Sequence, residues 1–334
     1  DAAVPAILYC AHGGQELGHG LADVLFGDFN PAARLNMTWY RHESQLPDMM
    51  EYRIIDTGRT YLYFDGPVLY PFGYGLSYTT FSYANLQVTA PEQGVFRVSF
   101  EVTNIGTTTG EEVAQLYLRA LTSRVKRPNR QLAGFERLAL APGETRTVVL
   151  AVNVADLALW DVTRNRYCVE TANWQVLVGA SSADIRLEGG VAIQGETIPP
   201  RNPFEAIAAM NYDDMDAVYL DRYTGSDPAP EPVIHISCVR CRHDEGWLVF
   251  RDMDFEAGAT AFDVQMATAT AGGAIEVRLD DPAGEPVGRC DAPGTGGWQC
   301  WKTRTGTVSG VSGRHDVYLR LQGRMALAWL RFNR

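Results

Sequence analysis

The 334-residue sequence lacks several features that would each define a class of protein. No apolar run reaches the roughly 18 residues that a membrane-spanning helix requires, so no membrane insertion is predicted. There is no low-complexity tract and no tail of like charge, and the 46% hydrophobic residues are typical of a globular protein. Basic residues number 29 against 40 acidic ones, and the resulting net charge of −11 disfavours nucleic acid and suits a neutral ligand.

Cysteine is also scarce, and its spacing limits what the thiols can do. The six cysteines are Cys10, Cys168, Cys238, Cys241, Cys290 and Cys300. A C-x-x-C motif followed by a second pair suggests zinc, but the second pair lacks the spacing of the common structural sites. Disulfides or free buried thiols are favoured instead, with a Cys290–Cys300 bridge as the first choice. Bridges would favour an extracellular over a cytoplasmic location, which the sequence leaves open.

The first residues do not read as a targeting segment. They have neither the basic region nor the long apolar region of a signal peptide. Val4–Cys10, VPAILYC, is predicted to be a short buried strand of the kind found in parallel sheets. We therefore expect the chain to begin inside a domain, with further sequence before it.

A helix is predicted next. Between Gln15 and Phe26, apolar residues recur at helical spacing, at Leu17, Leu21, Val24 and Leu25. Gly27 follows them and is a typical helix stop. Strand, loop and helix together form one α/β unit.

From about residue 80 the apolar period changes to two, which predicts strands. Apolar and polar residues alternate at Phe96–Val102, Ala114–Leu118 and Val148–Val154. Turn signals such as NIGTTTG and APGE separate these runs, so residues 81–195 are predicted to form a β-sandwich. The proline-rich stretch at residues 196–203 is predicted to be a linker, and residues 204–334 a second β domain, a jelly roll. The fold class is therefore mainly β.

A segment rich in aromatic residues, TGRTYLYFDGPVLYPFGYGLSYTTFSY, lies between the helical and the strand patterns. Its glycines allow positive φ and close approach of the backbone, and its rings supply large apolar area. We interpret seven rings as a domain interlock: Tyr61, Tyr63, Phe64, Tyr70, Phe72, Tyr74 and Tyr78. The alternative is a sugar-stacking platform formed by one or two of them.

Three stretches resemble one enzyme family. GQELGHGLADVLFGDFNPAARL resembles the last strand–helix unit of the α/β sandwich domain of glycoside hydrolase family 3, and the aromatic segment resembles that family's signature leading out of the domain. VTNIGTTTGEEVAQLYL, QLAGFERLALAPGETRTV and VGASSADIRL resemble the fibronectin type III-like domain that follows it. The resemblance covers residues 1 to about 190 and makes residues 1–80 the end of an α/β sandwich domain with its connector.

The resemblance implies a retaining, exo-acting β-glycosidase, which needs two carboxylates about 5 Å apart. In the family, the nucleophile lies on an N-terminal barrel and the acid/base residue lies upstream of the GQE segment, so this chain is expected to hold no catalytic residue. Its adjacent acidic pairs, such as Asp280 and Asp281, point to opposite faces of a strand. The missing barrel would lie in the same chain or in another one. GRTYLYF resembles the β-xylosidase branch more than the β-glucosidase branch, so the implied ligand is a β-linked oligosaccharide or xylan-type glycan.

The last domain resembles carbohydrate-binding modules of family 6. The motifs are FEAIAAMNYDDM, DEGWLVFRDMDF, TGGWQCWKT and GRHDVYLRL. The resemblance implies that an aromatic pair holds a sugar ring, with Trp298 as one wall and Tyr223 or His243 as candidates for the other. Trp247 and Trp301 lie within strands and are interpreted as core residues.

The same resemblance implies a structural calcium ion whose ligands this sequence has lost. The final strand reads ALAWLRF, which places Ala326 and Ala328 where an asparagine and a calcium-binding aspartate are usual. Ile207 stands where a second acidic ligand is usual, so Glu205 lacks clear partners. Because calcium prefers six to eight oxygen ligands, no cofactor is expected.

A second class of function stays open at this point. A stand-alone carbohydrate-binding or scaffold protein would have the same last two domains and no catalysis. Such a protein would begin with a complete domain, which the predicted opening strand argues against. A split enzyme, with its barrel on a separate chain, is a further alternative.

Overall fold

The computed structural model describes residues 4, 6–49, 51, 53–55, 57–223 and 237–334. The chain divides into two compact units. The first consists of the residues up to Leu159 together with Cys168–Thr197, and the second of Trp160–Tyr167 and Ile198–Arg334. Among the described residues, no helix has the length and hydropathy needed to cross a membrane.

The opening part of the first unit holds the helices and a small sheet. The helices are α1 (Leu17–Phe26) and α2 (Thr60–Tyr63), and the paired strands are β1 (Trp39–Tyr40) and β2 (Val68–Tyr70). Helix α1 ends as predicted, since Gly27 adopts φ +84° and its N–H donates to the Val24 carbonyl oxygen. The predicted buried strand at Val4–Cys10 is wrong, because its described residues are exposed and pair with no described strand.

A seven-stranded sandwich follows, as predicted. Its strands are β3 (Phe81–Val88), β4 (Val95–Asn104), β5 (Gly110–Ala120), β6 (Gln131–Leu140), β7 (Thr145–Asn153), β10 (Ala172–Gly179) and β11 (Ile185–Ile193). One sheet has the order β11-β10-β5-β6 and the other β3-β4-β7. Their facing side chains form one core, which includes Phe96, Val98, Phe100, Leu116 and Val176. Between β7 and β10, β8 (Leu159–Asp161) pairs with β9 (Arg166–Cys168).

The second unit is one large antiparallel sheet that folds around a core. Its strands are β12 (Ile207–Ala208), β13 (Asp214–Asp216), β14 (Val218–Arg222), β15 (Ser237–Cys241), β16 (Glu245–Asp254), β17 (Ala259–Thr268), β18 (Gly272–Leu279), β19 (Gly288–Pro293), β20 (Gly297–Val311), β21 (Arg314–Gln322) and β22 (Ala326–Asn333). The order is β13-β16-β21-β18-β19-β20-β17-β22-β15-β14, with β12 beside β22. Strands from both halves of this order supply the core, which is the arrangement of a jelly roll.

The predicted linker at residues 196–203 is not an exposed spacer along its length. Ile198 and Arg201 are buried, and both belong to the second unit. The Arg201 N–H donates to the Asp252 carbonyl oxygen at 2.8 Å. Part of this proline-rich stretch therefore packs as structure of the last domain.

The predicted Cys290–Cys300 disulfide is wrong, since Cys290 and Cys300 are both free thiols. Cys290 on β19 is buried next to Gly306 of β20, where the absent glycine side chain leaves it room. Cys300 lies six residues before Gly306 on β20, roughly 20 Å away at the rise of a strand. A disulfide requires Cα atoms within about 7 Å, so the strand register excludes this bridge.

Candidate functional site

A concave site of about 290 Å³ lies on the solvent side of strands β13, β16 and β21. Its lining residues are Asp216, Glu245, Gly246, Trp247, Pro282, Ala283, Tyr318 and Arg320. The Trp247 and Tyr318 rings meet edge to face, with centroids 5.6 Å apart and planes at 63°. Together they make an angled apolar corner, which we call the Trp247 platform.

Strand pleating places these side chains on one face. Leu248 and Leu319 point into the core, so their neighbours Trp247 and Tyr318 point outward. In the register, Trp247 lies beside Arg320 of β21, and Arg320 lies beside Glu276 of β18. An aromatic side chain is thus flanked by a row of charged ones across neighbouring strands.

The charged side chains of this row are held by ion pairs. Arg320 Nη2 donates to Glu245 Oε2 at 2.9 Å, and this bond raises the pKa of Arg320. Arg278 Nη2 donates to Glu276 Oε2 at 2.7 Å, which lowers the pKa of Glu276. Oriented carboxylates and guanidinium groups around an apolar corner suit a ring that carries hydroxyl groups on its edge.

One wall of the site depends on a glycine. A Cβ on Gly246 would lie 2.8 Å from Val218 Cγ1 and 3.1 Å from the Asp216 carbonyl oxygen. Ala217, between these two residues, adopts φ +55°, a conformation that costs energy for any residue with a side chain. The structure therefore holds a strained turn close against the strand that carries Trp247.

Trp298 lies elsewhere, and its ring is already in contact with a cation. It is half-buried on β20, and the Arg240 guanidinium carbon lies 3.6 Å from its ring centroid. Arg240 Nη1 also donates to Asp221 Oδ2 at 2.9 Å. The side chain expected from the sequence to stack on a sugar is thus stacked on a guanidinium group.

The two candidates for a second wall have different surroundings. Tyr223 is 8% exposed, its ring centroid lies 4.8 Å from that of Trp301, and its hydroxyl donates to Gln265 Oε1 at 3.3 Å. Tyr223 is therefore largely covered, because it packs in a small cluster of side chains on this side of the sheet. His243 is exposed on the turn between β15 and β16.

The residues predicted to be remnants of a calcium site do not fit that ion. Glu205 is exposed, and its Oε1 accepts a hydrogen bond from Asn202 Nδ2 at 3.0 Å. Ala326 and Ala328 present only methyl groups. Across the described part of the chain, no cluster of three or more His, Cys, Asp or Glu side chains is arranged to hold a metal ion.

The interlock rings fall into two groups within the first unit. Tyr61 stacks on Phe72 at 4.2 Å between centroids, and it meets Tyr117 of the sandwich edge to face at 6.1 Å. The Tyr61 hydroxyl also accepts a hydrogen bond from the Leu132 N–H at 3.2 Å. Lys126 of the sandwich lies over Tyr63 at 5.9 Å, and burial raises the pKa of Tyr63. This group ties the connector to the sandwich.

The second group packs within the connector and ties it to earlier residues. Tyr70 stacks on Tyr74 at 5.1 Å, and Phe64 meets Tyr40 edge to face at 4.9 Å. Tyr78 is 53% exposed, and its hydroxyl donates to the Val24 carbonyl oxygen at 2.6 Å. Of the seven interlock rings, Tyr78 is the most exposed.

Sequence reasoning missed the Trp247 platform because it placed Trp247 in the core. On β21, Leu319 and Leu321 alternate with Tyr318 and Arg320, which indicates an outward position for Tyr318. On β16, Trp247 begins an apolar run that continues to Phe250, so alternation does not show which way Trp247 points. Trp301 is buried as predicted.

Comparison with protein families gives three matches along the chain. Residues 1–78 match the C-terminal domain of glycosyl hydrolase family 3, residues 112–182 a fibronectin type III-like domain, and residues 208–334 a carbohydrate binding module of family 6. The three matches follow one another along the chain in the order that the sequence motifs predicted. In particular, residues 1–78 match the C-terminal domain of glycosyl hydrolase family 3, as those motifs predicted.

Curated relatives and solved structures agree with this assignment. A xylan 1,4-beta-xylosidase of Xylanibacter ruminicola is 43% identical over 180 residues, which is 54% of this chain and 20% of the relative. A periplasmic beta-glucosidase of Salmonella typhimurium is 39% identical over 202 residues, 56% of this chain and 26% of the relative. The solved beta-glucosidase 3B of Thermotoga neapolitana, in complex with alpha-D-glucose, has 35% identity and a TM-score of 0.51, covering 56% of this chain and 28% of that one. The chain thus spans about a quarter of these proteins.

Proposed function

We propose that this chain supplies the supporting and glycan-binding parts of a β-glycosidase that removes sugars from the non-reducing end of β-linked oligosaccharides. The observation that carries the glycan-binding part is the Trp247 platform in a domain that matches a carbohydrate binding module. The similarity to β-xylosidase and β-glucosidase relatives supports the enzymatic part. Xylose-type oligosaccharides are the first choice, because GRTYLYF resembles the β-xylosidase branch.

The chemistry of the platform suits a neutral pyranose. The C–H face of such a ring is apolar and can lie against the Trp247 indole, while Tyr318 closes one side. Hydroxyl groups at the ring edge would reach Glu245 and Arg320, whose oxygen and nitrogen atoms accept and donate hydrogen bonds. A volume of about 290 Å³ gives room for a short oligosaccharide segment.

The exposed apolar surface at the start of the first unit supports a second polypeptide segment as a binding partner. On α1, Leu25 and Phe26 are exposed by 65% and 83%, and Ile7 and Tyr9 are also exposed. Exposed apolar residues in such number mark a surface that another protein part covers. We propose that the barrel-bearing part of a family 3 enzyme covers it, in the same chain or in a second one.

The test of glycan binding is a calorimetric titration of the whole chain with β-1,4-linked xylo-oligosaccharides and cello-oligosaccharides. Trp247→Ala should weaken binding by about tenfold or more, because it removes the stacking surface. Trp160→Ala is the matched control, since Trp160 is a half-exposed tryptophan on β8, outside the platform. Equal affinities for the wild type and both variants would refute the platform.

The test of the enzymatic part uses copurification and activity. The chain is expected to bind a separately produced family 3 barrel-bearing polypeptide, and Phe26→Asp should weaken that complex. The complex should hydrolyse aryl β-xylosides or aryl β-glucosides. A stable chain that neither binds such a polypeptide nor supports turnover would favour a stand-alone carbohydrate-binding protein.

A further inference from the structure

The Arg240–Trp298 contact joins strands β15 and β20, whereas the Trp247 platform lies on β13, β16 and β21. Arg240 alternates on β15 with Val239 and Cys241, whose side chains belong to the main core, so Arg240 points to the opposite side of the sheet. Cys238 shares that side and belongs to the small cluster that also contains Trp301. Trp247 and Trp298 therefore both lie outside the main core. Arg240 lies over the Trp298 ring, whereas Trp247 meets Tyr318 edge to face.

Two contacts fix Arg240 where it lies. Its guanidinium carbon is 3.6 Å from the Trp298 centroid, which is direct stacking contact. Its Nη1 donates to Asp221 Oδ2 at 2.9 Å, and this bond lowers the pKa of Asp221, so the carboxylate stays ionised near neutral pH. Its neighbours in the sheet register are Tyr219 of β14 and Ala326 of β22.

We propose that Arg240 determines the specificity of the last domain by occupying the stacking face of Trp298 in place of a sugar ring. Binding of neutral β-linked oligosaccharides is thereby directed to the Trp247 platform. This inference rests on the proposed glycan-binding function, and it adds that one arginine keeps a second aromatic surface closed.

The physical basis is competition for one ring face. A sugar ring that stacks on the indole face held by Arg240 must first displace the guanidinium group from Trp298 and from its position beside Asp221. The stacking and the ion pair lower the affinity of an otherwise available ring by about tenfold or more. Shortening the side chain at position 240 removes that competitor without altering Trp298.

The experiment compares Arg240→Ala with Arg242→Ala in the whole chain. Arg242 is the matched control, because it lies two residues further on and contacts Tyr219 at 6.0 Å instead of Trp298. Each variant is labelled with fluorotryptophan, and Trp298→Phe assigns the Trp298 fluorine resonance. Arg240→Ala should shift that resonance without ligand, whereas Arg242→Ala should leave it in place.

Titration with xylo-oligosaccharides then tests whether Arg240 prevents a sugar from stacking on Trp298. As the single substitution in an otherwise wild-type chain, Trp298→Ala should leave the affinity for xylo-oligosaccharides unchanged. Arg240→Ala should add a binding event that shifts the Trp298 resonance, and Arg240→Ala with Trp298→Ala should abolish it. If Arg240→Ala does not fold, Asp221→Asn releases the guanidinium group and should shift the same resonance and add a weaker form of the same event.

Two results would overturn the inference. One is a loss of wild-type affinity in Trp298→Ala, which would mean that the ring is already open. The other is a displaced Trp298 resonance in Arg240→Ala, or in Asp221→Asn if that variant is needed, with no new binding. Failure of the Trp247 platform is distinguishable, because Trp247→Ala would then leave wild-type binding unchanged whatever Arg240→Ala does.

Discussion

At the scale of single residues, Gly73 shows why the aromatic connector needs glycine. It adopts φ +80°, its N–H donates to the Leu35 carbonyl oxygen at 2.7 Å, and its own carbonyl oxygen accepts from Gln115 Nε2 at 3.1 Å. A Cβ at this position would lie 2.0 Å from Gln115 Oε1. One absent side chain thus lets the connector lie against the sandwich.

Gly73→Ala should therefore destabilise the first unit by about 2–4 kcal/mol, from the left-handed backbone and the displaced buried Gln115. Gly94→Ala is the control, because Gly94 has φ +78° and no atom within 4 Å of its Cβ position. It should cost only about 1–2 kcal/mol. Calorimetric unfolding of the first unit measures both, and equal losses would contradict the role of the close contact.

The ion pair of Glu276 predicts that the stability of the second unit depends on pH. Its bond from Arg278 holds its folded pKa below the ordinary value of 4.5, so its contribution to stability is present above that value. The contribution is lost as pH falls through the folded pKa. Thermal unfolding between about pH 6 and pH 3 should show a smaller loss of stability in Glu276→Gln than in the wild type. Identical pH profiles would count against an ion pair at this position.

At the scale of helices and strands, the sequence predicted those features that depend only on neighbouring residues. The alternation in β4 and the glycine after α1 are local signals, and both were confirmed. Burial that depends on distant parts of the chain was not predicted. Gln115 and Tyr117 alternate with core residues, which predicts an outward face, yet both are buried.

The two tryptophans of the last domain illustrate the same limit. Trp247 and Trp301 both lie in strands beside apolar residues, and this context predicts a core position for both. Trp301 faces the small cluster with Tyr223 and is covered, whereas Trp247 faces solvent beside Tyr318. Which face of a sheet is covered depends on strand order, which alternation does not specify.

A buried ion pair at the start of the last domain is expected to contribute strongly to the stability of the second unit. Arg201 Nη2 donates to Asp213 Oδ2 at 2.8 Å, and both side chains are buried. Arg201→Ala should cost about 3–5 kcal/mol, because it leaves a buried carboxylate without this partner. Arg314→Ala, at an exposed pair with Asp254, should cost about 1 kcal/mol or less. Calorimetry of the second unit distinguishes the two, and a small loss in Arg201→Ala would contradict this account.

At the scale of the whole molecule, the motifs predicted the order of domains better than they predicted the site. The family resemblance rests on long stretches such as GQELGHGLADVLFGDFNPAARL, and the comparisons confirm it. The position of a binding surface rests on a few side chains that come together only in the fold. Trp298 was predicted from a motif, while Asp216, Trp247 and Tyr318 meet across three strands.

The central claim is that this chain binds β-linked oligosaccharides and does not hydrolyse them by itself. One calorimetric titration of the purified 334-residue chain with a xylo-oligosaccharide measures both properties, since binding gives saturable heat and turnover gives a continuing displacement of the baseline. The account predicts saturable heat and a flat baseline. A displaced baseline would mean that a catalytic pair lies within these residues, and an absence of binding heat would contradict the glycan-binding role of the last domain.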